Sequence, residues 1–192
     1  MRFLQAAEVF DRFRKAGALL EGHFILSSGL HSSSYLQSAL VLQYPKEAEL
    51  LGKALAAEFV DQKIELVAAP ALGGIIIGHE VARALGARFV WTERQQGRMM
   101  LRRGFQVAVD ELTLVVEDVI TTGGSTRETI ETLQAAGAQV LAAASIIDRS
   151  MGRADVGVPR KALATLDVPA LEPAVCDLCR QGVPLVKPGS RV

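Results

Sequence analysis

The sequence predicts an α/β fold, a parallel sheet flanked by helices, and two observations carry that reading. Short, largely apolar runs at residues 64–69, 112–116 and 140–147, and a more mixed one at 88–93, are interleaved with helical patterns at 75–85 and 125–136. Continuous apolar strands are buried on both faces, as happens when crossover helices cover a parallel sheet. Composition agrees: 49% of the 192 residues are hydrophobic and 22% charged, enough to fill one core without disulfides or metals. A single domain spanning residues 1–192 is therefore expected.

Taken in order, residues 3–20 read as an amphipathic helix, with Ala6, Val9, Phe10 and Phe13 on one stripe and Gly17 near its end. Residues 22–35 mix short apolar pieces with a serine-rich stretch and suit a hairpin with loops. Pro45 opens a second helix carrying Leu50, Leu51, Leu55 and Phe59. Residues 64–69 form a buried strand, 70–74 a turn, and 75–85 a helix closed by Gly86. A strand over 88–93 leads into a polar segment, 94–98. Then come a strand over 112–116, a helix over 125–136 and a fourth strand over 140–147. The tail from Arg180 reads as a surface extension.

Lys plus Arg and Asp plus Glu number 21 each, so the net charge is zero, which argues against a nucleic-acid binder. Residues 1–15 alternate charge with apolar side chains and do not read as a signal peptide. No apolar run approaches the roughly 20 residues that span a bilayer, so no membrane partner is expected and the location is read as cytoplasmic. Cys176 and Cys179 form one C-x-x-C, and a disulfide is not expected in that compartment. With no second cysteine pair, and with His23 and His31 at no recognised metal spacing, the cysteines are read as packed or surface thiols and no protein-held metal is assigned. His79 is read as a packed or rim residue, and Met99, Met100 and Leu101 as packing on the body or across a dimer contact.

One segment concentrates chemistry: Glu117, Asp118, Val119, Ile120, Thr121, Thr122, Gly123, Gly124, Ser125 and Thr126. A buried strand runs into two carboxylates, then a loop of glycines and hydroxyls, then a helix. Glycines allow close backbone approach, hydroxyls donate, and a helix start presents free N–H groups, which together make a phosphate cradle. Ser125 and Glu128 have the spacing of a capping box. There is no P-loop lysine, and the acids precede the loop, which excludes the dinucleotide fingerprint. Carboxylates would repel a phosphate unless they hold the hydroxyls of its sugar. A sugar phosphate lying across the strand end satisfies both halves.

These residues resemble the 5-phosphoribosyl 1-pyrophosphate (PRPP) signature of the type I phosphoribosyltransferases. The resemblance implies that fold, with Glu117 and Asp118 on the ribose hydroxyls and residues 121–126 around the 5-phosphate. The run His23, Phe24, Ile25, Leu26, Ser27, Ser28, Gly29, Leu30, His31, Ser32, with Tyr35 beyond it, is similar to the N-terminal hood of the orotate phosphoribosyltransferases. The tail over 176–190, with Cys-Asp-Leu-Cys-Arg-Gln-Gly and Lys187-Pro188-Gly189-Ser190, is similar to a shorter branch of that family.

The resemblance implies a hood made mainly of residues 1–40 plus C-terminal residues from about 156. It also implies transfer of the 5-phosphoribosyl group from PRPP to orotate, giving orotidine 5-phosphate and pyrophosphate in UMP biosynthesis. Thr121 and Arg149 would contact orotate, with donors from the Ser27 to Ser34 stretch, and His31 would lie near the substrate or in a solvated turn. The 70–74 turn would hold pyrophosphate, and Mg²⁺ would bind mainly through PRPP. Residues 94–103 would form a mobile loop acting across a homodimer. Where many members carry lysines, this chain has Ser27, Gly73 and a loop of arginines, so Arg94 and Arg98 are the expected catalytic cations. A purine phosphoribosyltransferase, which should lack the hood, and a PRPP-sensing nucleic-acid-binding regulator are the alternatives.

Overall fold

The computed structural model describes residues 4–26 and 29–187. Ser27 and Ser28, of the expected donor stretch, and Pro188, Gly189 and Ser190, of the expected tail motif, lie outside the described residues. The elements are α1 (Ala6–Lys15), β1 (Leu19–Ile25), β2 (His31–Leu36), α2 (Ala39–Leu42), α3 (Pro45–Ala57), β3 (Leu66–Pro70), α4 (Gly73–Leu85), β4 (Arg88–Gln95), β5 (Arg98–Leu101), β6 (Leu112–Ile120), α5 (Gly124–Ala135), β7 (Gln139–Asp148), β8 (Arg160–Thr165), β9 (Ala170–Leu171) and α6 (Asp177–Arg180).

Six strands form the main sheet in the order β5-β4-β3-β6-β7-β8, parallel except for β5. Alternation along each strand splits the apolar residues between two cores. Val67, Leu114, Val116, Ala144 and Ile146 face the layer of α1, α3 and α4, where Val9, Phe13, Leu51, Leu55 and Ile77 are buried. Leu66, Ala68, Val115 and Ala143 face the other way, onto Ile130 and Leu133 of α5. The apolar runs in the sequence are thus explained by burial on both sides.

Several boundaries differ from expectation. The first helix is shorter than residues 3–20, because Gly17 turns the chain at φ +66° and residue 19 already begins β1. The helix expected from residue 75 starts at Gly73. The β6 strand runs on through both acids to Ile120, paired with β7 throughout. Three strands went unrecognised: β5, whose polar turn masked a hairpin, β8, whose residues are only partly apolar, and the two-residue β9, which is too short to show a pattern. Because β8 completes the main sheet, the C-terminal share of the hood begins after residue 165 and not near 156.

The hood is a separate three-stranded sheet, β1-β2-β9, made from both ends of the chain. The β1–β2 hairpin pairs Leu19 with Leu36 and Ile25 with His31, and β9 adds antiparallel to β2 through His31 and Leu171. Helix α1 ties this layer to the body, with Val9 and Phe13 fully buried. Replacing Phe13 by Ala should leave a cavity costing about 3–5 kcal/mol. Urea unfolding should show a lower midpoint with an unchanged slope. A midpoint unmoved from wild type would mean that α1 is not part of the cooperative core.

Candidate active site

The strand end of β6 and the start of α5 build the site. Glu117 pairs in register with Ser145, Val119 with Ile147 and Ile120 with Asp148, so β6 and β7 end side by side. Beyond Ile120 the backbone turns through Thr121 and Thr122 to Gly123, whose φ of +80° an L side chain rarely adopts. A Cβ at Gly123 would also stand 2.9 Å from Val156 Cγ1, so the turn is pinned against the 149–157 loop. Gly123 is the N-cap of α5 with no side-chain cap, so the expected Ser125–Glu128 capping box does not form. Ser125 is left exposed, and Glu128 pairs with Arg94 at 2.7 Å. The loop encloses a polar cavity of ≈ 160 Å³ lined by Glu117, Val119, Ile120 and residues 121–126. That volume suits one phosphate among hydroxyls and helix-start N–H groups.

The two acids are not equivalent. Glu117 is 8% exposed, and its Oε2 lies 3.5 Å from the Thr126 hydroxyl that donates to it. Burial first, and the neighbouring Asp118 charge second, push its carboxyl well above the usual range. Asp118 is half-buried and borders a larger cleft. It abuts the turn before α4: a Cβ on Gly73 would fall 2.6 Å from Asp118 Oδ1. A side chain at Gly73 would require the Asp118 carboxylate to shift.

The larger cleft, of ≈ 1010 Å³, shares Val119, Thr121 and Thr122 with the phosphate cavity and lies between the main sheet and the hood. Leu26, Leu30 and Tyr35 line its hood side, Val168 and Pro169 come from the return to the hood, and Arg149 and Arg153 from the loop after β7. Arg149 is held by its backbone N–H, which donates to Ile120 O at 2.8 Å. Its Nε is buried with no hydrogen-bond partner among the described residues, and burial lowers the pKa of its guanidinium. A half-buried guanidinium whose Nε lacks a partner, in a cleft of mixed polar and apolar lining, suits a planar anion.

The loop that presents Arg149 is organised by Asp148. Its carboxylate accepts from Ser150 N–H at 2.7 Å, Ser150 Oγ at 2.6 Å, Gly152 N–H at 3.0 Å and Arg160 Nη1 at 2.7 Å. Burial would raise its pKa, but the hydrogen bonds from Ser150 and Arg160 outweigh burial and hold it below the usual range.

The structure separates some expected site residues from the cleft. The 94–103 segment is an antiparallel hairpin pairing Arg94 with Met99 and Gln95 with Arg98 across a turn at Gln96 (φ +49°) and Gly97 (φ +80°). Neither Arg94 nor Arg98 lines the cleft. Arg94 bonds Glu128 and Gly97 O, while Arg102 and Arg103 close on Glu93, whose pKa Arg103 and Trp91 draw down to about 2. Arg98 is exposed and makes no ion pair among the described residues. His79 sits exposed on the rim, and Met99 is buried while Met100 is not. His31 is neither beside the cleft nor in a solvated turn: it is buried on β2, with Nδ1 3.0 Å from His23 Nε2. Sequence reasoning missed Arg153, Val168 and Pro169 as lining residues, because no local motif marks them.

No family model matches the chain. A curated orotate phosphoribosyltransferase of Caldicellulosiruptor bescii is 54% identical over 179 residues, 93% of this chain and 94% of that protein. Another, of Pelotomaculum thermopropionicum, is 52% identical over 184 residues, 96% of this chain and 97% of its own length. Among solved structures, orotate phosphoribosyltransferase from Aeropyrum pernix matches with a TM-score of 0.66 at 28% identity, covering 81% of this chain and 92% of its own.

The raised Glu117 carboxyl sets a sign for the pH dependence of stability. Its unfolded pKa is near ~4.3 and its folded pKa is higher, so stability falls as pH rises from the first value through the second. Glu117→Gln removes that loss. Thermal melts should place the variant above wild type at pH 7, with the gap closing near pH ~4. A variant that melts below wild type at both pH values would show that the carboxylate is ionised and well solvated in the fold.

Proposed function

Since this chain belongs to the orotate phosphoribosyltransferase family, a group of pentosyltransferases, we propose how its own residues carry the transfer of the 5-phosphoribosyl group from PRPP to orotate. In this reading the 5-phosphate occupies the small cavity, held by N–H groups and hydroxyls of Thr121, Thr122, Gly123, Gly124 and Ser125. Val119 and Ile120 supply backbone beneath it. Glu117 and Asp118 take the ribose hydroxyls. Glu117, favoured in its protonated form by burial, can donate as well as accept, whereas Asp118 acts as acceptor.

Orotate lies in the larger cleft, its carboxylate on Arg149 and its ring edge near Thr121, under the hood residues Leu26, Leu30 and Tyr35. The unsatisfied Arg149 guanidinium is the single observation that carries this choice of base. The alternatives, a purine substrate or a regulatory role, are not favoured by relatives of this identity.

In the reaction the bond from ribose C1 to the pyrophosphate oxygen breaks, the bond from C1 to the ring nitrogen of orotate forms, and that nitrogen loses its proton. Positive charge builds on the sugar and negative charge on the leaving oxygens. The 70–74 turn, which meets Asp118 at Gly73, is placed to receive pyrophosphate. Asp118 is also the oxygen ligand that a magnesium ion riding on PRPP would meet, which fits the hard-oxygen preference of that ion. When bound, Mg²⁺ neutralises charge on the leaving pyrophosphate.

Arg94 and Arg98 stand away from their own cleft, which supports a homodimer in which the hairpin of one subunit covers the cleft of the other and excludes water. The free thiols of Cys176 and Cys179 suit a cytoplasmic enzyme, and no helix among the described residues is long and apolar enough to cross a membrane. The product, orotidine 5-phosphate, feeds UMP biosynthesis.

Consumption of orotate, followed by loss of its ultraviolet absorbance with PRPP and Mg²⁺, tests the assignment. Arg149→Ala should raise the KM for orotate about 10- to 100-fold, the loss of one charge-assisted contact, with little change in the KM for PRPP. Asp118→Asn should do the reverse. Equal effects on both substrates from either variant would refute the division of the site. Mixing Arg98→Ala with Asp118→Asn subunits tests the hairpin: at low PRPP, hybrid dimers should be more active than either parent, and no gain would place Arg98 on its own subunit's cleft or outside the reaction.

A further inference from the structure

Behind the hood wall, away from the phosphate grip, four side chains from distant parts of the sequence converge. His23 and His31 stand on adjacent strands of the hood, Cys176 caps α6 and Cys179 lies within it. His23 Nε2, His31 Nδ1 and the two sulfurs all lie within 4.8 Å of one another. His23 Nε2 is 3.0 Å from His31 Nδ1, 3.4 Å from Cys176 Sγ and 3.7 Å from Cys179 Sγ, and Cys179 Sγ is 3.2 Å from His31 Nδ1. His23, His31 and Cys176 are buried, while Cys179 closes the group from the solvent side.

Hydrogen bonding alone does not satisfy this group. His23 Nδ1 lies 2.8 Å from the Val183 carbonyl, an acceptor, so Nδ1 carries the proton and Nε2 keeps its single lone pair. Three polar atoms compete for that lone pair. A cation at the centre would use it together with both sulfurs and His31 Nδ1. Tetrahedral zinc, with bonds of roughly 2.05 Å to nitrogen and 2.3 Å to sulfur, sets ligand separations of about 3.3 Å (N to N) and about 3.5 Å (N to S). The four separations above fall within about 0.3 Å of those values, and the set as a whole, within 4.8 Å, would draw in slightly around a single ion. The Val183 contact is the kind of carbonyl partner that fixes a metal-bound imidazole.

We propose that His23 Nε2, His31 Nδ1, Cys176 Sγ and Cys179 Sγ bind one zinc ion, which clamps the C-terminal segment to the hood. The two thiols lose their protons on binding. With all four positions filled by protein atoms, the ion is structural and takes no substrate. It reinforces a crossing that the backbone already makes: Ile25 N–H donates to Val186 O at 3.0 Å and Val186 N–H to His23 O at 2.8 Å. Pro169 lines both the large cleft and the hollow beside His31 and Cys176, so the clamp backs the wall of the cleft. The reading of residues 176 and 179 as ordinary thiols assumed that no second ligand pair existed, and the fold supplies that pair as histidines.

Metal analysis of the full chain, purified without chelator and exposed to micromolar zinc before gel filtration, should find about one zinc per chain. The Cys176→Ser, Cys179→Ser double variant should lose it, whereas His31→Cys, with a sulfur in place of Nδ1, should keep it. Cobalt(II) in place of zinc should give the strong visible absorption of a tetrahedral thiolate site in wild type. Chelation should lower the melting temperature, and zinc, but not magnesium, should restore it. The proposal fails if wild type takes up no zinc, or if the double variant holds as much as wild type. It also fails if thiol titration of the denatured, unreduced protein finds the two cysteines joined. None of these readouts depends on turnover, so they stand apart from the catalytic assignment.

Discussion

The pairing of β6 with β7 is the constraint from which the site follows. Ile120 opposite Asp148, with the Arg149 N–H donating to Ile120 O, sets the strand that leads into the proposed phosphate loop and the strand that leads into Arg149 to end at the same level. A slip of one residue would send Glu117 to the opposite face and turn Arg149 out of the cleft. Both strands are locked against such a slip by apolar residues buried on both sides, such as Val115 with Val116 and Ala143 with Ala144. The functional geometry is therefore a by-product of core packing, and no loop has to find it alone.

Around this frame the carboxylates divide by environment. Asp148 is buried but receives four hydrogen bonds, one of them from an arginine, so its charge is worth keeping and the loop it organises is tied down. Glu117 is buried with a single long contact and a negative neighbour, so its charge is unwelcome without ligand. Two acids of similar burial thus act in opposite ways: one builds the loop, and the other is free to meet the sugar hydroxyls assigned to it in the proposed function. Arg149 is the cationic counterpart, left short of partners on the side where an anion would enter.

Much of this was legible in the sequence because it is local. Apolar runs mark β3, β4, β6 and β7, and the acids, glycines and hydroxyls of the phosphate loop sit within one continuous stretch. Where the reading failed, the cause lay in contacts between distant residues. The short strand β8 becomes a strand only because β7 offers it an edge. Glu128 leaves the expected capping box for Arg94, which is remote in sequence. His23 and His31 show no metal spacing by themselves, and Cys176 and Cys179 show half of one; only the crossing of the C-terminal segment over the hood makes a set of four. Arg94 and Arg98 were legible as cations but not as residues of a paired hairpin.

That the hood draws on both ends of the chain has a consequence for how the protein is made. On the ribosome, β3 through β7 emerge as a continuous block, and each strand after β3 finds at least one neighbour already made. The strand β9, the Val186 crossing and the cysteines come last, so β1 and β2 wait for most of synthesis with an open edge and two buried-type histidines uncovered. The half of the molecule that holds the proposed phosphate site is complete before the half that walls in the larger cleft. A chain cut short near residue 165 would keep the first half and leave the hood hairpin without its third strand.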